Sequence, residues 1–259
     1  MSAAEHIVPG FDWSALPVAT PALVIDRAAF AANLDEMAAI ASSAGVELFP
    51  HAKTHRMADA GRMQLAHGAS GLCVAKLGEA EAFADAGTRR IFVANPIFGE
   101  DKAKRALRLS ERLDELRLAT DTVGAAASVG AVFAAAGKRA RMMLAIDSGL
   151  GREGASPDKA QDVAAEIAAL PGVELVGIYT HEGSTYGAVD RADLEARARA
   201  VGEKMVAVAD AIRARGIALP IVSLGASASA RAVAHVPGVT EIRPGIYAFN
   251  DVGQIALGN

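Results

Sequence analysis

Short apolar runs recur at about 46–52, 71–76, 90–94, 116–120, 141–147, 174–181, 220–224 and 239–243, and most intervals between them carry helical periodicity or alanine-rich stretches. Strands that alternate with helices pair in parallel through crossovers. Eight such units predict a closed (β/α)8 TIM barrel. An open, doubly wound sheet is the competing architecture; periodicity does not separate the two, and the count of eight favours closure. Ahead of the repeat, Thr20 to Asp26 predicts an opening strand, with Asp26 as N-cap of a helix from about Arg27 to Ser43. Arg191 to Arg215 predicts a long helix with one solvated face, because apolar residues interleave its charges.

Composition agrees with buried parallel strands. The 259 residues are 52% hydrophobic but only 5% aromatic, so Ala, Val, Leu and Ile must build the core. A net charge of -4 leaves no general basic surface, which argues against nucleic acid as a partner. The single cysteine, Cys73, excludes an internal disulfide and fits a reducing compartment. Met1 to Ser14 lack the basic start and apolar centre of a signal peptide, and no apolar run approaches the roughly 20 residues that span a bilayer. A soluble cytoplasmic protein is the expectation.

Barrels do their chemistry at the C-terminal ends of the strands, so the residues falling there matter most. The first run delivers Phe49-Pro50-His51-Ala52-Lys53-Thr54-His55. A rim lysine can form a Schiff base with a carbonyl. The second run ends at Lys76, and position alone leaves either lysine open for that role. The fifth leads into Asp147-Ser148-Gly149-Leu150-Gly151-Arg152, where a tight turn offers a cationic donor. The sixth carries Tyr179 and His181. The seventh reaches Gly225-Ala226-Ser227-Ala228-Ser229 before a short helix, and the eighth reaches Arg243-Pro244-Gly245-Ile246-Tyr247. Loops after strands seven and eight are frequent phosphate sites in barrels, and small residues at a helix start suit an anion. No Gly-Lys-Ser/Thr follows, so this is not a nucleoside triphosphate loop. A rim lysine, a phosphate cradle and arginines for a ring together describe a pocket for pyridoxal phosphate.

These residues resemble the pyridoxal phosphate enzymes of the alanine racemase barrel type (fold type III), and within them the D-threonine aldolase and D-serine dehydratase-like family. Pro50-His51-Ala52-Lys53-Thr54-His55 looks like that family's cofactor-lysine motif, and Cys73 to Glu81 looks like its second-strand motif. Gly177 to His181 and Arg243 to Tyr247 are similar to segments shared with alanine racemases. The resemblance runs from about Thr20 to Asp251 and implies that Lys53, rather than Lys76, bears the cofactor.

It further implies Arg152 on the ring side, His51 and Tyr179 close by, and Gly225, Ala226, Ser227, Gly245 and Tyr247 around the phosphate. Arg152 and Arg243 both remain open for the pyridine nitrogen. The implied activity is a lyase reaction on a small D-β-hydroxy-amino acid, with Lys53, His55 and His181 as proton carriers. A non-catalytic single-barrel carrier of the cofactor, or an amino-acid racemase, are the alternatives. The implied organisation is an N-terminal extension over 1–19, a cofactor barrel over 20–251, and at 252–259 the start of a C-terminal β-domain lacking from this chain. Family members hold manganese or zinc through that domain; no residue here matches the metal positions, so a metal is expected only in a full-length protein, and little turnover from these residues alone. A homodimer is expected by analogy.

Overall fold

The structure, a computed structural model, describes residues 17–19 and 21–256. Thr20 and the stretch Met1 to Ser14, on which two of the expectations fell, lie outside the described residues. Helix α1 (Arg27–Ala44) begins where the sequence places it: the Asp26 carboxylate accepts from the N–H groups of Ala28 and Ala29 at 2.8 and 3.0 Å. It ends on Gly45, whose φ of +68° suits a residue without a side chain.

Eight parallel strands follow: β1 (Glu47–Leu48), β2 (Leu72–Val74), β3 (Arg90–Val93), β4 (Glu115–Thr120), β5 (Ala140–Ala145), β6 (Val173–Thr180), β7 (Ile221–Leu224) and β8 (Glu241–Ile242). The helices between them are α2 (Ala58–Ala66), α3 (Leu77–Asp85), α4 (Glu100–Ser110), α5 (Val123–Ala135), α6 (Ala160–Ala168), α7 (Arg191–Arg213) and α8 (Ala230–Val233), and α9 (Val252–Ala256) closes the described chain. Pairing runs from β2 through β3, β4, β5, β6, β7 and β8 to β1. The ring closes between β1 and β2, where His51 and Cys73 form a parallel bridge and Cys73 N–H donates to Pro50 O at 2.9 Å. The barrel, and not the open sheet, is therefore the architecture.

Alternation along the strands separates two cores. Leu72, Val74, Ile91, Val93, Leu116, Leu118, Leu144 and Ile178 face the helices, while Phe49, Cys73, Phe92, Ala119, Met143, Ala145, Val176 and Tyr179 fill the barrel. Arg117 shares that interior and is fully buried, with its guanidinium over the rings of Phe49 (4.1 Å) and Phe92 (5.5 Å).

One expectation fails. Residues 21–26 form no strand, and Leu23 is 100% exposed. An apolar run becomes a strand only when a neighbour accepts its ladder, and among the described residues none pairs with it. Among the described residues, too, no helix is long and apolar enough to cross a membrane.

Candidate active site

The rim at the C-terminal ends of the strands encloses a cavity of about 280 Å³. His51, Lys53, Arg152, Tyr179, His181, Gly225, Ala226, Ser227, Arg243 and Gly245 all line it. Of the residues expected from sequence, His55 and Tyr247 are not on its wall.

Lys53 sits on a 3-10 turn, Ala52–Thr54, that leaves the end of β1. His51 caps this turn, its Nδ1 accepting from Lys53 N–H at 3.3 Å. Downstream, Arg56 adopts a left-handed φ of +51° and its Nε lies 3.2 Å from Glu79 Oε1, while Glu79 Oε2 accepts from Ala75 N–H at 2.7 Å. The turn carrying the lysine is thus tied to the start of α3. Burial lowers the Lys53 ammonium pKa, and the charges of Arg152 and Arg243 act in the same sense, though Cys73 and Glu153 oppose them. Burial also drives His51 down to about 2, helped by Lys53 and Arg243, so its imidazole is neutral.

His55 belongs to a different environment. Its Nδ1 accepts from Met57 N–H at 3.0 Å, and its Nε2 lies 3.1 Å from Gln64 Oε1, which leaves it the proton donor there. Gln64 in turn donates to the Tyr247 hydroxyl at 3.3 Å. With both ring nitrogens engaged beneath α2, His55 holds structure and is not placed to carry protons in the cavity.

The loop after β5 is shaped by Asp147, whose Oδ1 accepts from the N–H groups of Gly149, Leu150 and Gly151 at 2.9, 2.9 and 3.0 Å. These bonds hold its carboxyl below the usual carboxylate range. The loop delivers Arg152 to the cavity already paired with Glu153, at 2.5 Å. At the end of β6, the Tyr179 hydroxyl donates to Ala94 O at 2.8 Å, and burial keeps the phenol protonated. His181 Nδ1 lies 2.5 Å from Gly225 O; a carbonyl only accepts, so Nδ1 carries the proton and Nε2 keeps a free lone pair. Burial lowers the His181 pKa.

The candidate anion cradle lines the same cavity. The N–H groups of Gly245, Ile246 and Tyr247 converge on Ser227 Oγ at 3.0, 2.8 and 3.2 Å. Tyr247 contributes through its backbone, which is why its ring is absent from the wall. These three donors are satisfied by the serine hydroxyl here, and clustered N–H groups of this kind suit an anion when one is bound. Gly225 and Gly245 keep the cradle open, since a Cβ on Gly225 would collide with the Arg243 guanidinium and one on Gly245 would meet Thr54 Oγ1 at 2.9 Å. Beneath it, fully buried Glu182 accepts from Gly225 N–H at 2.7 Å and Ser229 Oγ–H at 3.0 Å, and burial raises its pKa.

Glu182 escapes a sequence reading because nothing in its spacing marks it; only its burial under the loop reveals the role. The same holds for the support of Arg243. Its Nε donates to Ser223 Oγ at 2.8 Å and its Nη2 to Thr180 O at 2.5 Å, while the Ser223 hydroxyl donates to Glu241 Oε1 at 2.5 Å. Arg243 also stacks 5.3 Å from the Tyr179 centroid. One cavity wall brings together an amine of lowered pKa, backbone N–H groups gathered at Ser227, two arginines and a neutral histidine, so the residues present fit an aldehyde cofactor bearing one phosphate. Among the described residues, no three His, Cys, Asp or Glu side chains group closely enough to hold a metal ion.

The comparisons with known proteins agree with this geometry. Residues 25–251 match the family model "Alanine racemase, N-terminal domain". A D-threo-3-hydroxyaspartate dehydratase from Delftia sp. (strain HT23) is 35% identical over 245 residues, covering 94% of this chain and 64% of its own. A D-threonine aldolase from Arthrobacter sp. is 33% identical, with 90% of this chain and 62% of its own covered. The crystal structure of D-threonine aldolase from Filomicrobium marinum superposes with a TM-score of 0.86 at 30% identity, over 92% of this chain and 64% of that one. The chain thus spans a little under two thirds of the relatives it matches. It belongs to the alanine racemase N-terminal domain family, among relatives that include D-threonine aldolase and D-threo-3-hydroxyaspartate dehydratase.

Proposed function

We propose that residues 20–251 are the pyridoxal phosphate barrel of a lyase acting on D-β-hydroxy-amino acids, with Lys53 as the attachment point. The observation that carries this reading is the sharing of one cavity by a rim amine of lowered pKa and the N–H groups gathered at Ser227. Similarity to a D-threonine aldolase and a D-threo-3-hydroxyaspartate dehydratase supports the reaction class. The cofactor, when bound, draws electron density from the substrate Cα so that a bond there can break.

The chain's own residues divide the remaining work. A lowered pKa leaves more of Lys53 as the free amine, the form that attacks a carbonyl and later accepts a proton. In dehydration Lys53 takes the α-proton; in aldol cleavage His181 Nε2 takes the β-hydroxyl proton. Ser227 and the N–H groups of Gly245, Ile246 and Tyr247 hold the phosphate. Arg152 and Arg243 supply fixed positive charge beside the ring, and Tyr179 stays a neutral wall. The reading also includes a homodimer in a reducing cytoplasm, where buried Cys73, its thiol pushed up to about 12, stays inert.

Borohydride reduction of the cofactor-treated protein should label Lys53, and Lys53→Ala should abolish the label and the yellow colour. Labelling of another lysine, or no colour at all, overturns the proposal. Incubation with D-threonine and D-serine plus manganese or zinc then separates the classes. A lyase yields aldehyde or pyruvate, a carrier yields neither, and a racemase erases optical rotation without new products.

A further inference from the structure

The turn that carries Lys53 and the turn that carries the N–H groups gathered at Ser227 lie side by side and are joined at both ends. At the root, where β1 runs next to β8, His51 N–H donates to Pro244 O at 2.9 Å. At the tip the join passes through a third element. His55, the C-cap of the lysine turn, meets Gln64 Oε1 with its Nε2 at 3.1 Å, and Gln64 Nε2 donates to the Tyr247 hydroxyl at 3.3 Å. The His55 ring also lies 6.2 Å from the ring of Phe249, the C-cap of the 3-10 turn Ile246–Ala248. Between root and tip the two turns touch, since a Cβ on Gly245 would meet Thr54 Oγ1 at 2.9 Å and His51 O at 3.2 Å.

Gln64 is 1% exposed on α2 and stands 183 residues from Tyr247 in sequence. A buried amide costs free energy unless its polar atoms are paired, and an apolar residue would fill the same place without that cost. Both side-chain bonds of Gln64 leave its own helix: one goes to the lysine turn, the other to the turn at the cradle. Helix α1 holds that second turn from behind, with Asn33 Nδ2 donating to Ala248 O at 3.1 Å.

We propose that the bridge His55–Gln64–Tyr247 sets the separation between the Lys53 amine and the phosphate-holding N–H groups, so that Gln64 and His55 are positioning residues for a ligand gripped at both ends. The inference rests on the reading of the main cavity given above. A rigid ring fixes the distance between an aldehyde and the phosphate carried with it. Once one end is held, the other binds at an effective concentration set by how well the two grips match that distance. A slip of about 1 Å at either grip forfeits much of that gain. A ligand that uses one grip alone is indifferent to the slip.

Calorimetric titration of the chain without cofactor tests this with three probes. Pyridoxal phosphate needs both grips, 5-deoxypyridoxal carries the aldehyde without the phosphate, and inorganic phosphate uses the cradle alone. Gln64→Met fills a similar volume and removes both bonds. Its affinity for pyridoxal phosphate should fall by about tenfold, with the other two affinities unchanged. Gln64→Glu should restore the parent affinity, because one carboxylate oxygen accepts from His55 Nε2 and the other from the Tyr247 hydroxyl turned to donate. Unchanged pyridoxal phosphate affinity in Gln64→Met overturns the bridge, as does failure of Gln64→Glu to restore it. Parallel loss of all three affinities also overturns it, because that pattern reports a general loosening of the fold. Failure of borohydride to label Lys53 would remove the parent reading and this one with it, whereas labelled Lys53 with an affinity that Gln64→Met does not move removes the bridge alone.

Discussion

Arg117 Nη2 and Glu241 Oε2 lie 2.7 Å apart at the centre of the barrel, with side chains 0% and 1% exposed. The contact is ionic and poorly aligned as a hydrogen bond; the guanidinium otherwise meets the faces of Phe49 and Phe92, with Glu115 Oε1 3.8 Å from its Nε. Glu241 passes its other oxygen to Ser223, which holds Arg243 on the cavity wall. A buried charge pair of this kind has two consequences that separate in experiment.

Arg117→Met alone leaves the Glu241 charge buried with less compensation, and stability should fall by about 3–5 kcal/mol. Adding Glu241→Leu removes the orphaned charge, so the double variant should be more stable than the single one. Urea unfolding measures both; a double variant that loses as much as the sum of the singles contradicts the account.

Ser227→Ala takes away the one oxygen that satisfies the N–H groups of Gly245, Ile246 and Tyr247. Without ligand the variant should lose about 1–3 kcal/mol. Because Ser227 also helps hold the phosphate in the proposed reading, the stabilising effect of inorganic phosphate should be smaller on the variant than on the parent. Thermal melts across a phosphate series give the comparison.

Gly225→Ala places a methyl group against the Arg243 side chain. Overpacking of a closed site costs about 1–3 kcal/mol, and here the strain falls on the arginine that borders the cofactor cavity. Cofactor affinity should therefore drop by about tenfold or more while the far-ultraviolet circular dichroism is unchanged. Retention of full affinity would show that Arg243 need not stand where it does.

Protonation of His51 should couple acidity to unfolding. Its pKa is about 2 in the fold against 6.5 as the ordinary value, so between these limits the unfolded chain binds the extra proton. The stabilisation is complete above pH 6.5 and is lost as pH falls, at about 1.4 kcal/mol per unit for this group. His181 and His55 are lowered in the same direction and steepen the slope. In His51→Asn the slope of stability between pH 6.5 and 5 should decrease by one proton's worth; an unchanged slope sinks the assignment of a neutral buried imidazole.

The eight strands were legible because each is a short apolar run bounded by helix starts, and their beginnings agree with the observed ones within two residues. Rim positions followed from that count, which is why ten of the expected residues meet in one cavity. His55 was misplaced because spacing locates a backbone position, while the ring turned toward Gln64 and Met57. The opening strand failed for a related reason: hydrophobic residues at 23–25 signal a need for burial, and whether a partner supplies it is a tertiary matter.

By itself, then, the sequence determined the repeat, the strand ends and the residue types that gather there, since periodicity and turn chemistry are local properties of the chain. Tertiary structure alone decided that Arg117 and Glu241, on β4 and β8 and more than a hundred residues apart, meet inside the ring, that Glu182 lies under the cradle, and that Gln64 joins His55 to Tyr247. Closure of the barrel brings strands distant in sequence face to face, and a charge acquires its partner, or stays without one, only when that closure is complete.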